Sequence, residues 1–190
     1  MYRGMFFKNT KPDTIKEALW FEEQCVRRQG GYDLDATNLP DTAKWFPKGT
    51  VLKFDASTGK CAALKSATVE EAAKSGATTL KISAGSFFNA GDTVAGVKIS
   101  AISRGDSFDT LTVAALTADV KAGDIVDNYA GGDKVIGFQY DTFPIDKDAS
   151  QQVTPTLVAM EIEEASLPFP VSDKVKTALN ENGIALFKIQ

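Results

Sequence analysis

Alternation of apolar and polar positions over strand-length windows, more than any helical period, organises this 190-residue chain. Thr50–Phe54 is rich in β-branched and aromatic residues, and Asp55–Lys60 has turn chemistry that returns it to a partner at Cys61–Leu64. Thr78–Ile82, Val97–Ile102 and Asp109–Val113 each alternate apolar with small or polar residues. Val135–Tyr140, Val153–Ile162 and Ile184–Ile189 add three more predicted strands, and Pro155 marks the start of the second as an edge or entry. Helical signals are few. Asp13 is placed to cap a short helix through Ile15, Ala18, Leu19 and Phe21, and Thr68-Val69-Glu70-Glu71 has the form of a capping box opening one or two turns. Ser172 predicts the clearest helix, over 172–181, with Val171, Val175 and Leu179 on one face and Asn182-Gly183 as its stop.

These patterns divide the chain into an aromatic arm (1–47), a β core (48–76 and 129–190) and a small all-β module (77–128), inserted in the core or following it. The module carries an internal echo, Ala90-Gly91-Asp92-Thr93-Val94 and Ala122-Gly123-Asp124-Ile125-Val126. Its glycines suit the left-handed conformation and its aspartates suit turn closure.

Composition narrows the chemistry. With no histidine, the chain lacks the commonest general base and the commonest transition-metal ligand. Two cysteines, Cys25 and Cys61, are too few for a Cys-ligated zinc or iron–sulfur site, and without an export signal they read as free thiols. The charge balance, 21 basic against 25 acidic residues, gives −4 and argues against a nucleic-acid partner. No apolar run approaches the roughly 18 residues of a membrane span, and Met1–Lys8 does not resemble a signal peptide. The expectation is a chain made in the cytoplasm, with no membrane partner, no cofactor and no metal.

Local motifs add little. Ser57-Thr58-Gly59-Lys60-Cys61 has the look of a phosphate loop, but Phe54 stands where its first glycine belongs and Cys61 where its hydroxyl belongs. Asp33-x-Asp35-x-x-Asn38 and Asp141…Asp146-x-Asp148 lack the run and the late glutamate of a calcium loop. Glu161, Glu163 and Glu164 read as the solvated side of a strand rather than as a hydrolytic carboxylate pair. The expectation is a protein without enzymatic activity and without catalytic residues.

The aromatic residues of the arm have two readings. Phe6, Phe7, Trp20, Phe21, Trp45 and Phe46 either fold back to complete the core or anchor the arm on another chain.

Trp45-Phe46-Pro47-Lys48-Gly49-Thr50-Val51-Leu52-Lys53, the paired Ala-Gly-Asp-x-Val turns, Leu111–Leu116, Val135-Ile-Gly-Phe138, Val158–Ile162 and Leu167-Pro-Phe-Pro-Val171 together resemble the head decoration (capsid cement) and head-fibre base proteins of tailed bacteriophages. The resemblance covers about residues 45–190. It implies a mainly β fold, with a small β-barrel or β-tulip-like core, the small β module and one short C-terminal helix. It also implies a structural, non-enzymatic role on the outer capsid surface of the virion. The partners implied are the major capsid protein and further copies of the chain, a trimer being favoured. Two other classes stay open: a virion-surface module that binds glycans or host cells, and a tail or baseplate structural protein. Against the glycan class, residues 77–128 contain neither Trp nor Tyr.

Overall fold

The computed structural model describes residues 19–28, 31–37 and 39–183, and the backbone of 185–187. The first third carries three two-residue strands, β1 (Val26–Arg27), β2 (Tyr32–Asp33) and β3 (Trp45–Phe46), followed by the hairpin β4 (Val51–Asp55) and β5 (Lys60–Ala63). Next come β6 (Ser66–Thr68), β7 (Thr79–Ser83), β8 (Thr93–Val94), β9 (Val97–Ser103), β10 (Phe108–Val113) and β11 (Ile125–Asp127). The chain closes with β12 (Lys134–Phe138), β13 (Phe143–Pro144), β14 (Gln152–Val153), β15 (Thr156–Ile162), helix α1 (Asp173–Glu181) and β16 (Ala185–Phe187). The protein is mainly β, with a curled half-barrel sheet and one short C-terminal helix.

The curl has a residue-level cause. Strand β4 is central in β12-β4-β5, and its Val51 and Leu52 are buried on opposite faces. Between Val135 and Gly137 the β12–β4 register slips by one residue, a bulge that bends the strand. Gly137 there has φ +129°, and any side chain on it would run into the Thr156 carbonyl. Glycine therefore lets β12 turn against β15, where Phe138 N–H donates to Thr156 Oγ1 (3.0 Å) and Gln139 bridges Pro155. Strand β15 carries the sheet onward, antiparallel to β1 and parallel to β16.

Two apolar layers sandwich this sheet. On one side Leu19, Trp20, Val51, Phe138 and Ile162 meet Val175 and Leu179 of α1. On the other, Leu34, Leu39, Phe46, Leu52, Cys61 and Val153 pack together with Phe87. Helix α1 forms as its sequence predicts. Ser172 caps it by accepting from Val175 N–H, Asp173 sits in the first turn, and Gly183 follows with φ +66°.

The third core belongs to residues 66–127. Strands run in the order β7-β10-β9-β8, and β6 pairs with β11 through Ser66↔Asp127. Ala67, Leu80, Ile82, Phe88, Ile99, Leu111 and Val126 fill this core. The chain leaves after β5 and returns as β12, next to β4 in the same sheet, so the module is spliced into the half-barrel.

Two helical expectations end differently. The capping box at Thr68 opens no helix: Val69, Glu70 and Ala73 donate instead to Asp124, Lys81 and Val120, and Val69 enters the module core. A local cap is worth about 1 kcal/mol, less than pairing and burying the segment, so tertiary structure wins. Of the expected helix from Asp13, residues up to Ala18 lie outside the described residues; Leu19–Phe21 are not helical, and Glu22–Gln24 forms one 3-10 turn.

Residues 19–47 do not stand apart as an arm. Strands β1, β2 and β3 pair with β15, β14 and β13, so this segment is woven into the C-terminal half.

Candidate functional site

The aromatic residues singled out in the sequence go to three different places. Phe6 and Phe7 lie outside the described residues. Trp20 and Phe46 are spent inside the chain, which corrects their reading as anchors for a partner. Trp20 is buried, its ring 6.1 Å from Phe138 and 6.4 Å from Tyr140, with the Lys48 ammonium 4.6 Å over its face. Lys48 is also buried and pairs with Glu22, which accepts the Tyr140 hydroxyl at 3.0 Å. Burial works against ionised Glu22, yet the hydrogen bonds from Lys48 and Tyr140 outweigh it and hold the carboxyl below its ordinary 4.5. Phe46 is fully buried and stacked on Phe143 at 5.2 Å. These two rings are too large and apolar to leave the core once β1 and β3 are paired.

Phe21 and Trp45 remain accessible. Phe21 is 43% exposed, and its N–H donates to the Met160 carbonyl of β15. The same ladder exposes Val26 (50%) and Leu157 (43%). Val26 pairs with Val158 but Arg27 with Thr156, so Leu157 is the extra residue of a bulge. Strand β1 ends its sheet, leaving one edge without a partner strand among the described residues. The edge is mixed: exposed Val26 sits beside the exposed Arg27 and Arg28, charges of the kind that limit non-specific edge pairing.

Trp45 lines a cleft of about 850 Å³ bounded by residues 40–47, by two module loops (84–87 and 104–109) and by the 165–169 loop. Phe87 and Phe169, ring centroids 4.5 Å apart, line it too. Also among its lining residues, Arg104 donates to Asp109 Oδ2 (2.6 Å), to the Ser86 carbonyl (2.9 Å) and to the Phe88 carbonyl. Of these polar residues Asp109 and Ser86 are buried and Arg104 is partly exposed.

A second cleft, of about 890 Å³, runs between the module and the half-barrel. Its polar groups are tied to the fold. Lys65 and Asp92, both buried, pair at 2.6 Å, and Lys53 reaches Asp133 at 3.2 Å. Burial pulls the Lys65 amine down from its ordinary value, with the Asp92 carboxylate opposing. Asp92 and Asp133 are turn-closers: each accepts the N–H three residues earlier, from Asn89 (2.6 Å) and Ala130 (3.0 Å), and Asp124 does the same for Lys121 (2.8 Å). The glycine before each has positive φ. The echo seen twice in the sequence is thus present a third time, as Gly131-Gly132-Asp133-Lys134-Val135, with glycine in place of the leading alanine.

The polar groups of the second cleft brace the fold. Cys61 is buried, which pushes its thiol up to about 12, and burial raises half-buried Cys25 as well. Among the described residues no three His, Cys, Asp or Glu side chains lie close enough to hold a metal ion. Glu161 and Glu163 are exposed, but they do not line one strand face: Glu161 has φ +52°, Glu163 follows the end of β15, and half-buried Glu164 opens a 3-10 turn. No helix among the described residues is long and apolar enough to cross a membrane. Signals for the missed residues were present but mute: Arg104-Gly-Asp-x-x-Asp109 reads as a turn, and nothing local says that Trp45 meets it. Comparison with protein families, with curated proteins and with solved structures finds no match.

Proposed function

We propose that this chain is a non-enzymatic structural protein of a tailed-phage virion, seated on the outer capsid surface as a decoration or head-fibre protein and in contact with copies of itself. One observation carries the reading: among the described residues the outer edge of β1 has no partner strand, and Phe21, Val26 and Leu157 are exposed on or beside it. An open strand edge that combines exposed apolar side chains with two arginines is suited to packing on a second folded chain. Covering the exposed parts of these three side chains contributes on the order of 1–2 kcal/mol each. That is weak for a single contact but sufficient when many equal copies engage one shell. Binding of folded capsomers then stabilises the shell by mass action. The net charge of −4 favours an outward position over contact with packaged nucleic acid. The phage-like segments between Trp45 and Val171 direct the proposal to a capsid rather than to a tail or baseplate.

The test has two arms. Light scattering across the micromolar range reports self-association, and Val26→Lys with Leu157→Lys is expected to reduce the mass to that of the monomer while leaving the unfolding midpoint nearly unchanged. Shells assembled from the major capsid protein of the same genome, mixed with the chain and sedimented, are expected to bind it in a saturable ratio. Shells that stay bare at high micromolar chain concentration would overturn the capsid assignment.

A further inference from the structure

The cleft at Trp45 has the composition of a ligand site rather than of a packing defect. Its walls come from four separated stretches of chain, and its volume of about 850 Å³ lies within the usual size of small-ligand sites. Aromatic rings form part of the wall: Trp45 is half-buried, and Phe169 rests on Phe87, which is itself backed by Phe46 at 5.8 Å. The polar part is rigid. Four acceptor atoms hold Arg104, the Ser86 hydroxyl (3.3 Å) among them, so the guanidinium cannot swing away, and Asp109 also receives the Ser86 hydroxyl at 3.4 Å. Asp109 itself is only 1% exposed and fixes the guanidinium from behind, so Arg104, 25% exposed, is the member of the pair that a ligand can reach.

The charge balance selects the ligand class. Asp109 neutralises Arg104, and Lys44 is the remaining charged residue of the lining, so the cleft lacks the cluster of cations that a phosphate or a polyanion needs. It is also not a purely apolar slot, because a ligand without hydroxyls would strip the exposed part of the guanidinium of water without replacing those hydrogen bonds. Sugar rings match both halves. Their C–H faces lie on aromatic rings, and their edge hydroxyls accept from a guanidinium.

From this geometry we infer that the Trp45–Arg104–Asp109 cleft binds a neutral oligosaccharide of a few hexose units. The inference goes beyond the assembly role and does not depend on it, since the cleft and the β1 edge share no residue. It also answers the absence of Trp and Tyr from 77–128: the fold brings Trp45 from outside to the module loops.

The experiment titrates the full-length chain, 15N-labelled, with a panel of neutral and sialylated oligosaccharides, following amide and arginine side-chain signals. Expected are saturable shifts with at least one neutral member of the panel, concentrated at Ser86, Gly105 and the Arg104 Nε–H, and quenching of Trp45 fluorescence. Trp45→Ala is expected to weaken that binding by about tenfold or more, with the β1-edge self-association unchanged. No shifts with any neutral member, shifts only with sialylated members, or shifts that map away from these three groups would each overturn the inference. The mapping uses the unaltered chain, so it decides the matter even where the variant folds poorly.

Discussion

Gly137 shows how one residue directs the course of the sheet. Its φ of +129° and the adjoining Thr156 carbonyl exclude a side chain, so Gly137→Val is expected to cost at least about 2 kcal/mol and to loosen the β12–β15 junction. A shift of the urea midpoint, with loss of exchange protection at Phe138 N–H, checks this. Glu22 sets a pH dependence. Because its folded pKa lies below the ordinary 4.5, its contribution is present above that value and is lost as pH falls through the folded pKa. Urea titrations from pH 3 to 6 are expected to show a shallower acid loss in Glu22→Gln than in the parent chain. Neither residue announced itself in the sequence. Gly137 looked like one small residue in a strand, and Glu22 acquires its role only because Lys48 and Tyr140, distant in sequence, close on it.

Short elements were legible where their cause is local and illegible where it is not. Helix α1 carries its cap, its apolar face and its stop within a dozen residues, and the fold uses all of them. Gly91-Asp92 and Gly123-Asp124 likewise contain their own turn chemistry. Thr68–Glu71 carries an equally good local signal, but Ile82, Val120 and Asp124 claim its backbone, and no window of ten residues contains that competition. Trp45 is the same case for the cleft, since the partners that give it meaning lie about sixty residues away. The buried Lys65–Asp92 pair joins two such elements. Lys65→Met, which leaves Asp92 buried beside an apolar side chain, is expected to destabilise by about 3 kcal/mol. Lys65→Met with Asp92→Asn is expected to recover part of that, and thermal unfolding of the three chains measures the difference.

The topology makes the whole molecule divisible in one specific way. Ser66 and Asp127 face each other across the β6–β11 ladder, so the two ends of the spliced module meet. Its apolar cluster draws only on residues between Ala67 and Val126. A piece spanning 64–129 therefore holds a closed core and is expected to fold alone, giving a dispersed amide spectrum and cooperative unfolding. The half-barrel is not symmetric in this respect. Replacing 66–127 by a short glycine loop removes Phe87 from between Phe46 and Phe169, the Ser66 bond to the Pro170 carbonyl, and the Asp127 partner of the helix cap Ser172. Losing a large core aromatic alone costs about 3–5 kcal/mol, a sizeable share of the stability of a small domain. The expected result is a module that stands alone and a half-barrel that unfolds at markedly lower urea than the intact chain. A collapsed spectrum for 64–129, or a half-barrel as stable as the parent, would show that the stabilising contacts lie elsewhere. The same dependence extends to the N-terminal side. A chain beginning at Leu19 keeps every contact described here, whereas one beginning at Gly31 loses Leu19 and Trp20 from the α1-side core and is expected to unfold rather than merely lose its partner.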